Sequence, residues 1–203
     1  NKLRLAKGEG FSKTWQQLAA DFAGSKKALD EQRKRNYAKR WQLGRDTASL
    51  GQWILDGNGM DGTVAKAGAF RVLPSGDRIV DDILPAGVYS HLLSDKHAGV
   101  LGSPQFRIGP DQKLFVRVIG GGDAMTRYVV QNYTRSGTVY PVTRLKDGKW
   151  RWQSWSLNYW EGDDVHLEVT TAGEQAILAV NKPNSWFGVT DLVVLDKGQP
   201  APR

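Results

Sequence analysis

Residues 164–171 read DVHLEVTT, a run in which apolar and polar side chains alternate. In an extended chain Val165, Leu167 and Val169 point to one side, while His166 and Glu168 point to the other. This alternation is typical of a strand that buries one face in a core and leaves the other face polar. The segment therefore predicts a sheet that is covered on one side.

Similar short runs follow one another from residue 52 to residue 195, and Gly, Pro, Asn and Asp stand between them as turn residues. No helices are predicted between these runs, which argues against a parallel sheet with crossover helices. Residues 41–203 are therefore predicted to form a mainly β domain, an antiparallel two-sheet β-sandwich of the jelly-roll kind. The predicted strands are Gln52–Leu55, Ala69–Leu73, Ile83–His91, Gly99–Ile108, Lys113–Ile119, Met125–Tyr133, Trp150–Ser156, Val165–Thr171, Ala176–Val180 and Val189–Leu195.

Residues 1–40 differ from the rest because their apolar residues recur at helical spacing. Trp15, Leu18, Ala19 and Phe22 lie on one side of a predicted helix, and the Gly-Ser pair at 24–25 is expected to break it. We interpret this segment as a helical linker or packing segment. The chain begins without Met or a signal sequence, so we expect it to be part of a longer protein with covalently linked neighbouring domains.

The composition argues against several classes of function. The 203 residues include no Cys, which rules out disulfides, thiol catalysis and Cys-based zinc sites. No apolar run approaches the length of about 18 residues that a membrane span requires. The net charge of +7 would attract polyanions. Outside the predicted helix, however, the basic residues are scattered and form no stripe, so nucleic acid is not expected as a partner.

Tryptophan is unusually abundant, with eight residues, and four of them lie at positions 150, 152, 155 and 160. An indole ring offers a flat apolar face for the C–H surface of a sugar and an N–H group for a polar contact. Large aromatic side chains also fill the cores of β-sandwiches. The cluster therefore indicates either a glycan-binding surface or a tryptophan-rich core, and the sequence leaves both open.

Residues 84–106 read LPAGVYSHLLSDKHAGVLGSPQF. Together with GGG at 120–122, NY at 132–133, YWEGD at 159–163 and SWFGV at 185–189, this segment resembles large exported planctomycete proteins. Those proteins combine c-type cytochrome-like regions with domains of uncharacterised function. The resemblance covers roughly residues 40–196 and implies a C-terminal module of an exported multidomain protein. It also implies an extracytoplasmic location, which means periplasmic, cell-surface or secreted.

The succession G-x-L-x-S-P-x-F at 99–106, the triple glycine and the segment SWFGVTD at 185–191 are similar to a second group of proteins. These are the jelly-roll modules appended to fructan-hydrolysing glycosidases. The resemblance implies a galactose-binding-like fold, binding of sugar chains and a structural calcium ion. A Trp-Gly pair of those modules is replaced here by Trp186-Phe187-Gly188, so the identity of the sugar is not carried over.

These observations predict a non-catalytic polysaccharide-binding module, and the positive charge extends the expected ligands to acidic or sulfated glycans. The ligand is expected to meet loops at one edge of the sandwich. The predicted ligand-binding residues are Lys96, His97, Asp123, Arg127, Trp155, Trp160 and Trp186. A structural Ca²⁺ ion is predicted at Asp77, Glu168 and Asp191, because carboxylates and backbone carbonyls are its usual ligands.

Two other functions are compatible with the same residues. The domain could be a structural or protein-docking module of a cell-surface protein, in which case the aromatic residues would form the core. It could also be a polysaccharide-active hydrolase that uses a carboxylate pair, with Glu161 or Glu168 as an essential member. Most acidic residues stand beside glycine in turns, where a carboxylate accepts hydrogen bonds from the local backbone. We therefore do not expect an enzyme.

Overall fold

The computed structural model describes residues 9–35, 40–44, 50–60, 64–72, 80–135 and 137–202. Contacts divide the chain into two compact units, Asn1–Tyr37 and Ala38–Arg203. The described part of the first unit is a single helix. The second unit contains all the described strands. In the part of the chain that the structure describes, no helix is long and apolar enough to cross a membrane.

Helix α1 comprises Glu9–Arg35 and is continuous. The predicted break at Gly24 and Ser25 is wrong. One glycine within a helix costs only about 1 kcal/mol relative to alanine, and Ala, Lys and Leu on either side favour helix. The large side chains of Phe11, Trp15 and Phe22 are exposed along this helix.

The second unit is built from short strands joined by turns and by three single-turn 3₁₀ helices at Asn58–Met60, Asn158–Trp160 and Ala172–Glu174. In chain order the strands are β1 Arg40–Gln42, β2 Ile54–Asp56, β3 Val64–Ala65, β4 Ala69–Val72, β5 Val80–Leu84, β6 Gly87–Tyr89, β7 Val100–Gly102, β8 Phe106–Arg107, β9 Lys113–Gly121, β10 Ala124–Val130, β11 Val142–Leu145, β12 Arg151–Ser156, β13 Asp164–Thr170 and β14 Trp186–Leu195.

Two six-stranded antiparallel sheets form the domain. The first has the order β12-β9-β14-β6-β3, and β1 pairs with β14 beside β6. The second has the order β11-β10-β13-β7-β2, and β8 pairs with β13 beside β7. Strands β4 and β5 form a separate hairpin. The predicted antiparallel β-sandwich of the jelly-roll kind is confirmed.

The core lies between the two sheets and follows the two-residue period of the strands. Val165, Leu167 and Val169 of β13 are completely buried, as their alternation predicts. From the first sheet, Leu114 and Val116 of β9 belong to the same cluster. Full burial of one such side chain contributes about 1.5–3 kcal/mol, so this alternation accounts for much of the stability of the sandwich.

Several predicted strands differ from those observed, for local reasons. Ala176–Val180 forms turns within the β13–β14 connection, because the Val180 N–H donates to the Ala172 carbonyl and closes a loop. The predicted strand Gly99–Ile108 is divided in two at Ser103 and Pro104. There the Ser103 hydroxyl accepts the Leu167 N–H at 2.8 Å, while the Ser103 N–H donates to the Leu167 carbonyl.

Gly188 packs closely against the side chains of Tyr89 and Ile119. A Cβ atom at this position would lie 2.4 Å from Cδ1 of Tyr89 and 3.0 Å from Cγ2 of Ile119. Because such overpacking typically costs about 1–3 kcal/mol, we expect Gly188→Ala to lower the free energy of unfolding by that amount in urea titrations. Gly173→Ala is the matched control, since nothing lies within 4 Å of its Cβ position. Equal stabilities of the two variants would contradict this explanation.

Candidate functional site

The loops of the sandwich gather at two opposite ends. One end, called the polar end here, consists of residues 90–99, 122–123, 146–150 and 171–185. The other, called the aromatic end, consists of residues 108–112, 131–135, 137–141, 157–163 and 196–202. Strand β10 runs from the first end to the second, and its pairing with β13 fixes the separation of the two. The predicted binding residues are distributed over both ends and the sheets between them.

The polar end brings together Lys96, His97 and Asp123. Lys96 and His97 line a small cleft of about 120 Å³, and Lys182 lies on the same cleft. The Asp123 carboxylate is 3.8 Å from Nζ of Lys182 and 3.7 Å from Nζ of Lys146. Asp95 and Glu174 also line this small cleft, so charges of both signs lie close together there. The polar end therefore offers hydrogen-bonding groups, and none of its aromatic side chains is among the highly exposed ones.

Trp186 also lies at the polar end, but its ring packs against the protein. Its Nε1 is 2.8 Å from the position that a Cβ atom of Gly121 would occupy, so the indole rests on the backbone of the triple glycine. The His91 ring is 4.2 Å away, measured between centroids. Burial lowers the pKa of His91 to about 4, so this imidazole is neutral at pH 7. The triple glycine accommodates Trp186 rather than an external ligand.

Arg127 occupies β10 and is almost completely buried, with 1% of its surface exposed. Its Nε and Nη2 donate to Oε1 of Glu168 at 2.9 and 2.5 Å. A buried guanidinium depends on such a partner, because an uncompensated charge in the interior is strongly destabilising. The pair is therefore structural, and the ligand-binding role predicted for Arg127 does not fit its burial.

Trp155 and Trp160, the other two predicted tryptophans, have different environments. Trp155 is 7% exposed and packs in the core against Tyr128, with ring centroids 5.9 Å apart. A covered ring cannot stack on a sugar, so its predicted contact is corrected to a core role. Trp160 lies half-buried at the aromatic end, where its Nε1 donates to the carbonyl of Val139 at 3.1 Å.

Glu168 and Asp191, two of the three residues predicted to bind calcium, lie on different sheets. Glu168 belongs to the second sheet and is engaged by Arg127. Asp191 belongs to the first sheet, 3.7 Å from Nη2 of Arg40, and Asp77 lies outside the described residues. Across the described ranges, no three His, Asp or Glu side chains are close enough to hold a metal ion. Glu168 and Asp191 are thus each engaged by an arginine on a different sheet, and a structural calcium ion stays a prediction.

The aromatic end carries a continuous row of side chains, which we call the aromatic track: Tyr133, Arg135, Tyr140, Trp160 and Tyr159. The guanidinium of Arg135 lies 5.3 Å from the centroid of Tyr133 and 5.7 Å from that of Tyr140. Tyr140 follows Trp160 at 5.0 Å, and Trp160 follows Tyr159 at 4.7 Å. Tyr133 is 62% exposed and Tyr159 is 72% exposed. Both ends of the track are thus open to solvent.

A tight turn fixes the loop that presents Tyr133. Gln131 and Asn132 have φ angles of 50° and 61°, and the Tyr133 N–H donates to the Val130 carbonyl. Two successive residues at positive φ are typical of a type I′ hairpin turn, which usually contains glycine. The turn is held from both sides, since Gln131 donates to Asp163 at 2.6 Å and Asn132 accepts from Gln105 at 2.7 Å.

A cleft of about 440 Å³ lies beside the track. Phe115 and Leu195 supply its apolar lining, and Asp111, Asn158 and Lys197 its polar groups. The Asp111 carboxylate accepts hydrogen bonds from Nδ2 of Asn158 at 3.1 Å and from Nζ of Lys197 at 2.8 Å. The same bond raises the pKa of Lys197. Asp, Lys, Asn and Gln make up most of the lining, so the cleft suits a ligand that forms several hydrogen bonds.

Sequence reasoning missed most of this surface, because it gave priority to tryptophan. Tyr133, Arg135, Tyr140 and Tyr159 were not among the predicted residues. Two weak signals were present, namely the pairs Asn132-Tyr133 and Tyr159-Trp160 in the segments that carry the family resemblance. Tyrosine is more often left partly exposed than buried completely, so an exposed platform is as readily built from tyrosine as from tryptophan.

The sequence matches no protein-family model, and no curated protein matches it. The matches among solved structures have low identity and TM-scores below 0.5. TmCBM61 in complex with beta-1,4-galactotriose is 11% identical with a TM-score of 0.43, over 76% of this chain and 94% of that one. The K1 cleaved adhesin domain of Lys-gingipain from Porphyromonas gingivalis W83 is 13% identical with a TM-score of 0.46, over 79% and 99%. The Podospora anserina GH26-CBM35 beta-(1,4)-mannanase is 12% identical with a TM-score of 0.38, over 82% and 29%.

Proposed function

We propose that this domain is a polysaccharide-binding module whose binding surface is the aromatic end. The observation that carries the proposal is the pair of open ring faces at Tyr133 and Tyr159, connected by a fixed row of side chains. Exposed aromatic faces attract the apolar C–H surface of sugar rings, while the phenolic hydroxyl remains available for hydrogen bonds. Asn158, which lines the cleft of about 440 Å³, directly precedes Tyr159 in the chain, so a ring and a cleft lie side by side there.

The cleft beside the track supplies the polar part of the recognition. Asp111 accepts hydrogen bonds from both Asn158 and Lys197, so these groups are already arranged around one carboxylate before a ligand arrives. Sugar hydroxyls both donate and accept, and these three side chains together present both acceptors and donors. Groups that are ordered in advance lose less conformational entropy on binding. We infer that they orient a sugar whose ring stacks on Tyr159.

The distribution of charge bears on which polysaccharide is bound. The first 37 residues carry nine Lys or Arg and four Asp or Glu, which is +5 of the net charge of +7. The remaining residues are therefore only slightly positive. The aromatic end carries two basic residues, Arg135 and Lys197, and four acidic ones, at positions 111, 161, 163 and 196. Because acidic residues outnumber basic ones there, this surface gives little support to a preference for acidic or sulfated glycans, and we propose a neutral chain.

The proposal also concerns the larger protein to which the domain belongs and the location of that protein. We infer a non-catalytic module of an exported multidomain protein, located outside the cytoplasm, from the family resemblance given above. For a hydrolase, Glu161 or Glu168 would have to act as an acid, base or nucleophile. Glu161 is exposed on the loop after Trp160, whereas Oε1 of Glu168 accepts two hydrogen bonds from Arg127. A carboxylate committed to a buried guanidinium is poorly suited to proton transfer. Binding without turnover is therefore the better-supported function.

A docking module is the second candidate, and one observation favours it. Phe70 of β4 and Ile83 of β5 are directly paired, and both side chains are exposed on the hairpin. Adjacent exposed apolar residues are typical of surfaces that meet another protein. This hairpin does not contribute to the aromatic track, so the two functions can be separated by substitution.

Affinity electrophoresis in gels containing galactan, mannan or β-glucan tests the proposed function. We expect retardation by at least one of these polysaccharides. Tyr159→Ala should weaken the binding about tenfold, which corresponds to about 1.4 kcal/mol. Phe70→Ala removes an equally exposed ring elsewhere and should leave binding unchanged. Absence of retardation in every gel, or equal losses in the two variants, would reject the aromatic end as a polysaccharide site.

A further inference from the structure

The aromatic track is longer than a single stacking platform requires. Its four successive contacts lie between 4.7 and 5.7 Å, and they connect five side chains in one row. Its two outer rings, Tyr133 and Tyr159, are the most exposed. Tyr140 and Trp160, between them, are half-buried. The track therefore has one exposed ring at each end and two half-buried rings between them.

The middle of the track is anchored to the domain. Tyr140 and Trp160 pack against the main core cluster. The carbonyl of Val139 accepts hydrogen bonds from both the Tyr128 hydroxyl at 3.0 Å and the Trp160 indole at 3.1 Å. These contacts hold the middle of the track, and the turn at Gln131 and Asn132 holds the loop that carries Tyr133. The backbone positions of the two outer rings are therefore set by the fold, which suits a ligand that repeats along its length.

Arg135 follows Tyr133 and precedes Tyr140 in the order of contacts along the track. Its guanidinium is held over Tyr133 and Tyr140 by cation–π contacts. Arg107 and Arg151, by comparison, are each paired with a carboxylate. For Arg135 no ion pair occurs within the described ranges, so its planar set of N–H donors faces the track without a carboxylate partner. Such donors suit the hydroxyl and ring oxygens of a sugar chain.

On the basis of the proposed function, we propose that the track binds an internal stretch of an extended polysaccharide through two stacking subsites. One sugar ring stacks on Tyr133 and another on Tyr159, and Arg135 donates hydrogen bonds to the sugar unit or units between them. Occupation of the second subsite is then an intramolecular event, which raises the affinity without any change at the first subsite. Affinity should therefore depend on the length of the chain.

Isothermal titration calorimetry with oligosaccharide ladders tests this inference. The probes are β-1,4-linked galacto-, manno- and gluco-oligosaccharides of about one to six units, a range chosen to exceed the two subsites. For at least one ladder, we expect the affinity to rise at least tenfold between the shortest bound oligosaccharide and the one that spans both rings. Beyond that length the affinity should level off.

The variants separate the two subsites from each other. Tyr133→Ala and Tyr159→Ala should each lower the affinity for the longest oligosaccharide about tenfold and abolish its dependence on length. Only one of them should affect the shortest oligosaccharide that binds. Arg135→Ala should lower the affinity for long chains, and Arg135→Lys should restore only part of it, because the planar guanidinium is lost. Phe70→Ala is again the control.

The outcomes distinguish this inference from the proposed function. Binding to none of the ladders would overturn both the polysaccharide site and its two subsites. Binding that does not change with length would leave the polysaccharide site in place and overturn the two-subsite arrangement. The arrangement would also be overturned if both tyrosine variants weakened the binding of the shortest oligosaccharide to the same extent.

Discussion

Replacing Glu168 by glutamine should lower the free energy of unfolding by about 3–5 kcal/mol, the range observed when one partner of a buried ion pair is removed. The guanidinium of Arg127 remains 1% exposed after this substitution and loses the carboxylate that accepts from its Nε and Nη2. The neutral amide of glutamine cannot compensate the buried positive charge. Chemical denaturation at pH 7 measures the effect.

Two controls define the origin of that loss. Asp147→Asn breaks the Asp147–Arg151 pair, whose side chains are both substantially exposed, and it should cost less than about 1 kcal/mol. The double variant Arg127→Met with Glu168→Leu removes both charges, and it should recover most of the stability. If the double variant were as unstable as Glu168→Gln, burial of an unpaired charge would not be the cause.

Lowering the pH should destabilise the domain through His91. Burial lowers the pKa of this imidazole from about 6.5 to about 4 in the folded state. Between these two values the unfolded chain binds a proton that the folded domain does not bind, so stability falls as the pH decreases from 6.5 to 4. A difference of about 2.5 pKa units corresponds to about 3 kcal/mol at pH 4 and below.

Urea denaturation at pH 7 and at pH 4 measures this effect. The carboxylates also titrate in this range, so the informative quantity is the difference between the wild type and His91→Gln. Glutamine carries no charge at either pH, and the variant should therefore lose about 3 kcal/mol less than the wild type between the two conditions. An identical pH dependence for both proteins would show that His91 does not control acid stability.

The fold could be predicted from the sequence where apolar and polar residues alternate along a strand, because this alternation shows which side chains are buried. The alternation at 164–171 gave the correct inward face of β13, because that strand is covered on one side only. Ala176–Val180 is apolar at every position, which is also typical of a buried strand, yet it forms turns. Composition alone does not reveal that this segment closes a loop with Ala172. Short strands such as Val64–Ala65 are too brief to show any period.

The candidate site was less predictable, because exposure of an aromatic ring depends on register and turn geometry. Trp155 pairs with Leu114 and faces the core, whereas its neighbour Trp152 pairs with Arg117. Nothing in the spacing of the tryptophans assigns these faces. Tyr133 follows a turn formed by Gln131 and Asn132, which lacks the glycine that normally signals a type I′ turn. The tyrosines of the track were therefore missed.

The order of the strands in the first sheet constrains how the domain can fold. Strand β14 lies between β9 and the pair β6 and β1, although it is the last described strand in the chain. Trp41, near the start of the sandwich, pairs with Leu192. Most of the polypeptide must therefore leave the ribosome before the first sheet can assemble. Until then, the edge of β9 that pairs with β14 has no strand to bond with. Pairings so distant in sequence are characteristic of slow, non-local folding.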